Sequence, residues 1–208
     1  LNTPGITISK PLNKLGMRAS DTGPIFFDDV RVPKRFLVGD ENKGFTMQMM
    51  QFQEERMYAA ASSLKGMERI ISDTIEWTKD RHTFGQPVIN NQTVHFKLAE
   101  LQSEIEALRA LTWQACQDHI EGKDATYLAS IAKLKSGRLW RQVTDGCLQY
   151  WGGMGFMWDN PVARAYRDTR ILSIAGGSDE MMLGIIGFSQ KQIMITGLKV
   201  AWIVLRIF

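Results

Sequence analysis

Cysteine is nearly absent, blocks of like charge are missing, and no proline interrupts the stretch from 34 to 80. Each of these gaps excludes something. Cys116 and Cys147 both fall in segments that read as helix interior, which rules out a disulfide framework and a cysteine metal cluster and fits a reducing compartment. His82, His95 and His119 show no metal-ligand spacing, so they are expected at surface or internally satisfied positions. Twenty-five Lys and Arg stand against 22 Asp and Glu, a net charge of +3 without long runs, and no nucleic-acid partner is expected. The apolar close, "IMITGLKVAWIVLRIF", is broken by Gly197, Lys199 and Arg206, short of the roughly 20 uninterrupted apolar residues of a membrane span. The opening "LNTPGITISKP" starts at Leu1 and has neither a signal-peptide nor a transit-peptide pattern. A fragment or processed product is therefore expected, with any address label upstream. Repeats and low-complexity stretches are absent too.

What is present reads as two textures. From 1 to 38 the chain looks like β structure: "GITISK" alternates, "GPIFFDDVRVP" is a short apolar run between turn residues, and Pro4, Pro11, Pro24 and Pro33 punctuate. Two or three strands do not stand alone, so they must pair with strands outside this chain or pack on its downstream part. From Asp40 the texture turns helical. One long helix is expected to about Asp80, a second from 91 to 121 and a third from Asp124 to about Trp151, with short helices at 161–172, after Asn160 and Pro161, and at 178–187. In the second, Val94, Leu98, Leu101, Ile105 and Leu108 recur at spacings of four and three, the mark of a buried stripe. In the third, Leu128, Ile131, Leu139, Val143 and Cys147 are expected to face inward. Long helices joined by loops of about ten residues pack as an antiparallel bundle. The fold class expected is mainly α, an antiparallel four-helix bundle preceded by a partial β-barrel segment.

Three loops carry candidate chemistry, and each has a plain alternative. "DRHTFGQPVINNQ" (80–92) sets Arg81 beside Phe84 and Gly85: a guanidinium fork suits phosphate oxygens, yet the same residues suit a helix C-terminus and a turn. "QYWGGMGF" (149–156) offers three glycines whose backbone N–H groups can cradle a polar ligand, or which merely stop a helix. It follows no strand, so a dinucleotide or P-loop fingerprint fails. In "IAGGSDEMM" (174–182), Ser178 is a good N-cap at a new helix start, where oriented N–H groups favour anions.

"QFQEERMYAAA" (51–61) places Glu54 and Glu55 side by side. Neighbours on a helix point about 100° apart, so the two cannot serve one ligand equally. A stripe of Met47, Met50, Met57, Ala61 and Leu64 would carry Glu54 inward and leave Glu55 at its margin, while plain surface charges beside Arg56 and Lys65 fit as well. Spacing does not choose between them.

In order along the chain, "KLGMRASDTGPIFFDDVRVP" (14–33), "RHTFGQPV" with Gln92 (81–92), "LQYWGGMGFMWDNPVARAYRDTRI" (148–171) and "IAGGSDEMM" resemble the acyl-CoA dehydrogenases, flavoenzymes that desaturate acyl-CoA thioesters between the α and β carbons. The resemblance covers residues 1–187. It implies that 1–38 is the second half of the family's middle β domain, 39–187 its C-terminal helical bundle, and 188–208 an atypical apolar tail. The family's N-terminal helical domain and the first half of its flavin-binding β domain are not in the chain.

The resemblance also implies roles. A carboxylate takes the α proton while the β hydrogen leaves as hydride to FAD, and such a base needs a closed apolar site that raises its pKa. In most members it precedes the Gly-Thr/Ser pair of the last motif; here that position is Gly176. A minority, the long-chain and isovaleryl types, carry it instead on the first long helix as Glu-Arg, which "QEERM" matches with Glu55. By the same resemblance Glu54, Arg56, Gly176 and Gly177 lie against substrate. Arg81, Phe84 and Gln92 contact FAD of a neighbouring subunit, Gln149, Tyr150, Trp151, Gly152 and Gly153 meet its adenosine end, and Ser178, Asp179 and Glu180 complete the cofactor site. The implied partners are acyl-CoA, an electron-transfer flavoprotein and further copies in a homotetramer, and the implied location is the mitochondrial matrix. Two other readings stay open: a catalytically silent assembly module and an acyl-CoA oxidase.

Overall fold

The computed structural model describes residues 3–189; the expected apolar tail lies outside them from residue 190 on. Two short strands, β1 (Ile6–Ile8) and β2 (Ile25–Phe27), pair antiparallel with Ile6 opposite Phe27 and Ile8 opposite Ile25. Most of their apolar surface is left open by the described residues: Ile6 is half-buried, but Phe26 and Phe27 are 57% and 70% exposed. The chain between the strands is fastened to the helical part around residues 158–168, where the Met17 N–H donates to Asp168 Oδ1 at 2.6 Å and the Arg18 guanidinium lies 4.9 Å from the Trp158 ring centroid.

Helix α1 (Gly44–Asp80) comes next, then a hairpin of β3 (His82–Thr83) and β4 (Gln86–Pro87), then α2 (Gln92–Ile120) and α3 (Thr126–Trp151). Two shorter helices, α4 (Pro161–Thr169) and α5 (Asp179–Ser189), pack on α3. The mainly helical bundle is therefore as expected. Of the two connections between the long helices, the one from 81 to 91 has the expected length, whereas α2 and α3 are joined by residues 121–125 alone.

Local chemistry sets the ends. The Asn160 side chain accepts from the backbone N–H of Val162 at 2.8 Å and of Ala163 at 3.3 Å, with Pro161 at the first helical position, which needs no donor. α3 stops where Gly152 takes φ +57°, a conformation that costs glycine little.

The stripe on α2 is buried as its spacing predicts: Val94, Leu98, Leu101, Ile105 and Leu108 all enter the core. Elsewhere large apolar residues mislead. Met47, Met50 and Ala61 are not buried, and the buried face of α1 runs instead through Met57, Ala60, Leu64, Met67 and Ile71. Leu128 and Ile131 are only half-buried, whereas Ala129, Ala132 and Ser136 are buried. Small residues win those positions because they let helices approach closely, and the larger ones beside them are displaced to the margin. A Cβ added to Gly66 would meet the Trp140 ring at 2.7 Å, and one on Gly137 would meet the Leu172 carbonyl oxygen at 2.9 Å. Cys147 is buried on α3, and burial pushes its thiol up to about 11.

Gly137→Ala is expected to destabilise the bundle by about 1–3 kcal/mol, because the carbonyl it meets belongs to backbone and yields poorly. Urea denaturation followed by helical ellipticity measures this; an unchanged midpoint would contradict the close approach.

Candidate functional site

The candidate site residues gather at two ends of the bundle. At the first end stand Glu54, Glu55 and Arg56 on α1 and the turn from Gly176 to Glu180. At the second stand Arg81, Phe84 and Gln92 around the hairpin, with Gln149 to Gly153 at the end of α3. The α1 span from Glu55 to Arg81 is about 39 Å at the helical rise of about 1.5 Å per residue.

At the first end, Glu54 is exposed rather than carried inward, and its Oε1 lies 3.7 Å from His119 Nε2 on α2. The stripe expected to bury it does not exist as such, since Met47 and Met50 are themselves exposed. Glu55 is exposed too and accepts from Gln51 Nε2 at 3.3 Å. Arg56 is the buried member of the trio, at 9% exposure, and its Nε has no hydrogen-bond partner among the described residues. Burial pulls its pKa down, and the charge of Glu55 opposes that shift.

Arg56 lies within electrostatic range of Lys133 on α3, the residue that holds the turn. Its charge and that of Lys133 disfavour one another, and the Lys133 ammonium donates to the Gly177 carbonyl. Gly176 and Gly177 take φ +65° and +94°, so neither position accommodates another side chain without strain. The Gly176 position also lies close to Lys133: an added Cβ would stand 3.9 Å from its Cε. Ser178 caps α5 as expected, its Oγ accepting from the Met181 N–H at 3.4 Å.

Asp179 turns inward, with Oδ2 at 3.3 Å from Arg138 Nε and 3.7 Å from Arg141 Nη2, while its buried Oδ1 has no partner among the described residues. Glu180 is exposed; hydrogen bonds from its own backbone and from Ser178 hold its carboxyl below the usual range, aided by Arg138 and Arg141.

At the second end, Arg81 closes α1 and anchors the hairpin through its backbone: its N–H donates to the Trp77 carbonyl and its carbonyl accepts from Val88, at 3.0 and 2.8 Å. Its side chain is exposed. Phe84 and Gly85 form the tip with φ +52° and +82°, and the Phe84 ring is fully exposed. A phenylalanine held at positive φ and wholly in solvent gains nothing from this protomer's fold. Gln92 and Gln149 are exposed nearby. Tyr150 Oη donates to the Thr93 carbonyl at 3.1 Å, and burial raises its pKa. Trp151 stacks on Trp77 with centroids 4.6 Å apart and donates to Thr74 Oγ1 at 3.0 Å, so this side chain is engaged by the core. Gly152 and Gly153 have open space where a Cβ would stand, which leaves their backbone approachable.

Lys133, Arg138 and Arg141 are functional neighbours that sequence reasoning misses. For Lys133 the one available clue is its spacing, four positions after the small residue Ala129 and three before Ser136; Arg138 and Arg141 carry no such signal. A cleft of about 490 Å³ beside α4 is lined by Arg138, Arg141, Tyr166 and Arg170 and contains none of the candidate residues. Among the described residues no group of His, Cys, Asp and Glu could hold a metal ion, and no helix is long and apolar enough to cross a membrane.

Asp179→Asn should lower stability by about 1–2 kcal/mol, the cost of leaving two half-exposed arginines without their carboxylate. Thermal unfolding would show it as a lower Tm; an unchanged Tm would mean that the ion pairs contribute nothing to holding α5 on α3.

Comparison with known proteins places this architecture. A family model described as acyl-CoA dehydrogenase, C-terminal domain, matches residues 42–190. The long-chain specific acyl-CoA dehydrogenase, mitochondrial, of Sus scrofa is 38% identical over 182 residues, 88% of this chain and 42% of that protein. The short-chain specific acyl-CoA dehydrogenase of Megasphaera elsdenii is 38% identical over 185 residues, 89% of this chain and 48% of that protein. The solved structure of butyryl-CoA dehydrogenase from Megasphaera elsdenii superposes with a TM-score of 0.87 at 37% identity, covering 92% of this chain and 50% of that one. The chain thus spans about half the length of these relatives. Fold, motif order and these likenesses agree: the chain belongs to the acyl-CoA dehydrogenase family, and residues 42–190 match the family's C-terminal domain.

Proposed function

We propose that this chain supplies the C-terminal half of an FAD-dependent acyl-CoA dehydrogenase for long or branched acyl groups, with Glu55 as the base that accepts the α proton. The observation that carries the reading is the pairing of a Glu-Arg on α1 with a turn whose base position is glycine, Arg56 standing within electrostatic range of the Lys133 that donates to the Gly177 carbonyl. A carboxylate at Gly176 would have to adopt φ +65°, so the turn itself is built for glycine. Glu55 is exposed in this chain. The closed apolar surroundings that a base needs are then completed by the acyl chain, the cofactor and the rest of the polypeptide. Preference for long or branched acyl groups rests on where the base stands, because long-chain and short-chain relatives match this chain equally, at 38% identity.

The residues at hand fit FAD. Arg81 would hold the pyrophosphate, Phe84 and Gln92 would flank it, the open backbone of Gly152 and Gly153 would meet the adenosine end, and Ser178 to Glu180 would close the flavin side. When bound, FAD supplies the hydride acceptor. The separation of about 39 Å between Glu55 and Arg81 along α1 is more than one dinucleotide spans. The two ends therefore serve different cofactor molecules, which supports a homotetramer in which hairpins reach into neighbouring copies. An electron-transfer flavoprotein as acceptor and residence in the mitochondrial matrix belong to the same proposal.

In the complete enzyme, Glu55→Gln should leave the yellow flavin bound and lower acyl-CoA desaturation by about 10²-fold or more, the usual loss for a missing general base. Near-normal turnover would refute the assignment. Phe84→Ala should change folding stability by less than about 0.5 kcal/mol, as for other exposed sites, while flavin retained through gel filtration falls. Full retention would remove the hairpin from the cofactor site.

A further inference from the structure

Among the described residues Lys133 is the largest side chain wholly withdrawn from solvent, at 2% exposure. A buried ammonium is expensive unless its donors are used, and a methionine would fill similar space without that cost. Lys133 is faced by Arg56 from α1, which opposes its charge, and by Asp179 from α5, which favours it; burial is the stronger effect and lowers its pKa. Asp179 itself is paired with Arg138 and Arg141. The hydrogen bond formed by the ammonium goes to the Gly177 carbonyl.

That bond has a geometric consequence. The described peptides are all trans, so the carbonyl of Gly177 and the N–H of Ser178 point in opposite directions. Lys133 draws the carbonyl toward buried α3, which turns the Ser178 N–H away from α3. As the N-cap of α5, Ser178 has no intrahelical partner for this N–H, and it forms no hydrogen bond among the described residues. Two successive glycines at positive φ leave the turn many conformations, and Lys133 is its internal anchor.

We propose that Lys133 is a positioning residue: it fixes the Gly177–Ser178 peptide so that the Ser178 N–H is presented to an acceptor oxygen of the ligand held at this turn, thioester or flavin. This rests on the functional reading above.

The test uses the complete enzyme with Lys133→Met, which keeps the volume and loses the donor, and Lys133→Gln, which keeps a donor and loses the charge. Three quantities are read: hydrogen–deuterium exchange of the peptide spanning 174–180, flavin retention, and kcat and KM for an acyl-CoA. The methionine variant is expected to exchange faster at the turn, with the rest of α3 unchanged, and to lose about 10- to 100-fold in kcat/KM, the scale of a misplaced contact. Glutamine should recover most of both. A raised KM with flavin retained identifies the thioester as acceptor; lost flavin identifies the cofactor. Unchanged exchange and kinetics in Lys133→Met would overturn the proposal, and so would a fall in activity that only tracks a lower Tm. Should Lys133→Met not fold, Lys133→Gln decides: wild-type exchange supports the anchor, and collapse of both overturns it. The exchange measurement needs neither flavin nor turnover, so it stands apart from Glu55→Gln, whose failure would sink the functional reading alone.

Discussion

Helices α1 and α3 lie against one another along their overlap, and both ends of the candidate site depend on that contact. At one end Arg56 of α1 stands near Lys133 of α3, and at the other Trp77 stacks on Trp151. Between them the approach is close enough that Gly66 leaves room for the Trp140 ring. Burial of Ala60, Met67, Ala132 and Val143 supplies the apolar attraction, and the short side chains set the distance. A change in that distance would be felt at both ends at once, because each end takes residues from both helices.

The gross architecture is legible in the sequence for ordinary reasons. Long proline-free runs, the period of Val94 to Leu108, and the Asn160-Pro161 start each express a local rule that tertiary structure does not overturn. The inward faces of α1 and α3 are less legible. Hydrophobicity alone favours methionine and leucine at the buried positions, whereas packing selects alanine, serine and glycine where helices cross and leaves Met47, Met50 and Ile131 toward the outside. The exposure of Glu54 has the same cause. The family motifs come through as resemblance and not as chemistry, since a glycine pair or a Glu-Arg carries no reaction until its neighbours are known. Lys133 is invisible because a lysine in the middle of a helix ordinarily reads as a solvated charge.

The charges near the glycine turn form an alternating chain: Glu55, Arg56 and Lys133, Asp179, then Arg138 and Arg141. Two cations side by side in a half-dry interior are unfavourable, and the arrangement is tolerated because a carboxylate flanks each side. Such a chain links α1, α3 and α5 without any single strong pair. It also keeps polar atoms, Arg56 Nε and Asp179 Oδ1, buried and without a partner among the described residues, where a structural network would normally satisfy them.

The distance between the two ends has a genetic corollary. Under the proposed assembly, in which the hairpin of one copy serves the cofactor of another, a protomer damaged at Phe84 and a protomer damaged at Glu55 carry lesions in different composite sites when they assemble together. Some sites in such a mixed oligomer would then receive two intact contributors. Two alleles, each inactive in the homozygote, could thereby restore part of the activity in the heterozygote.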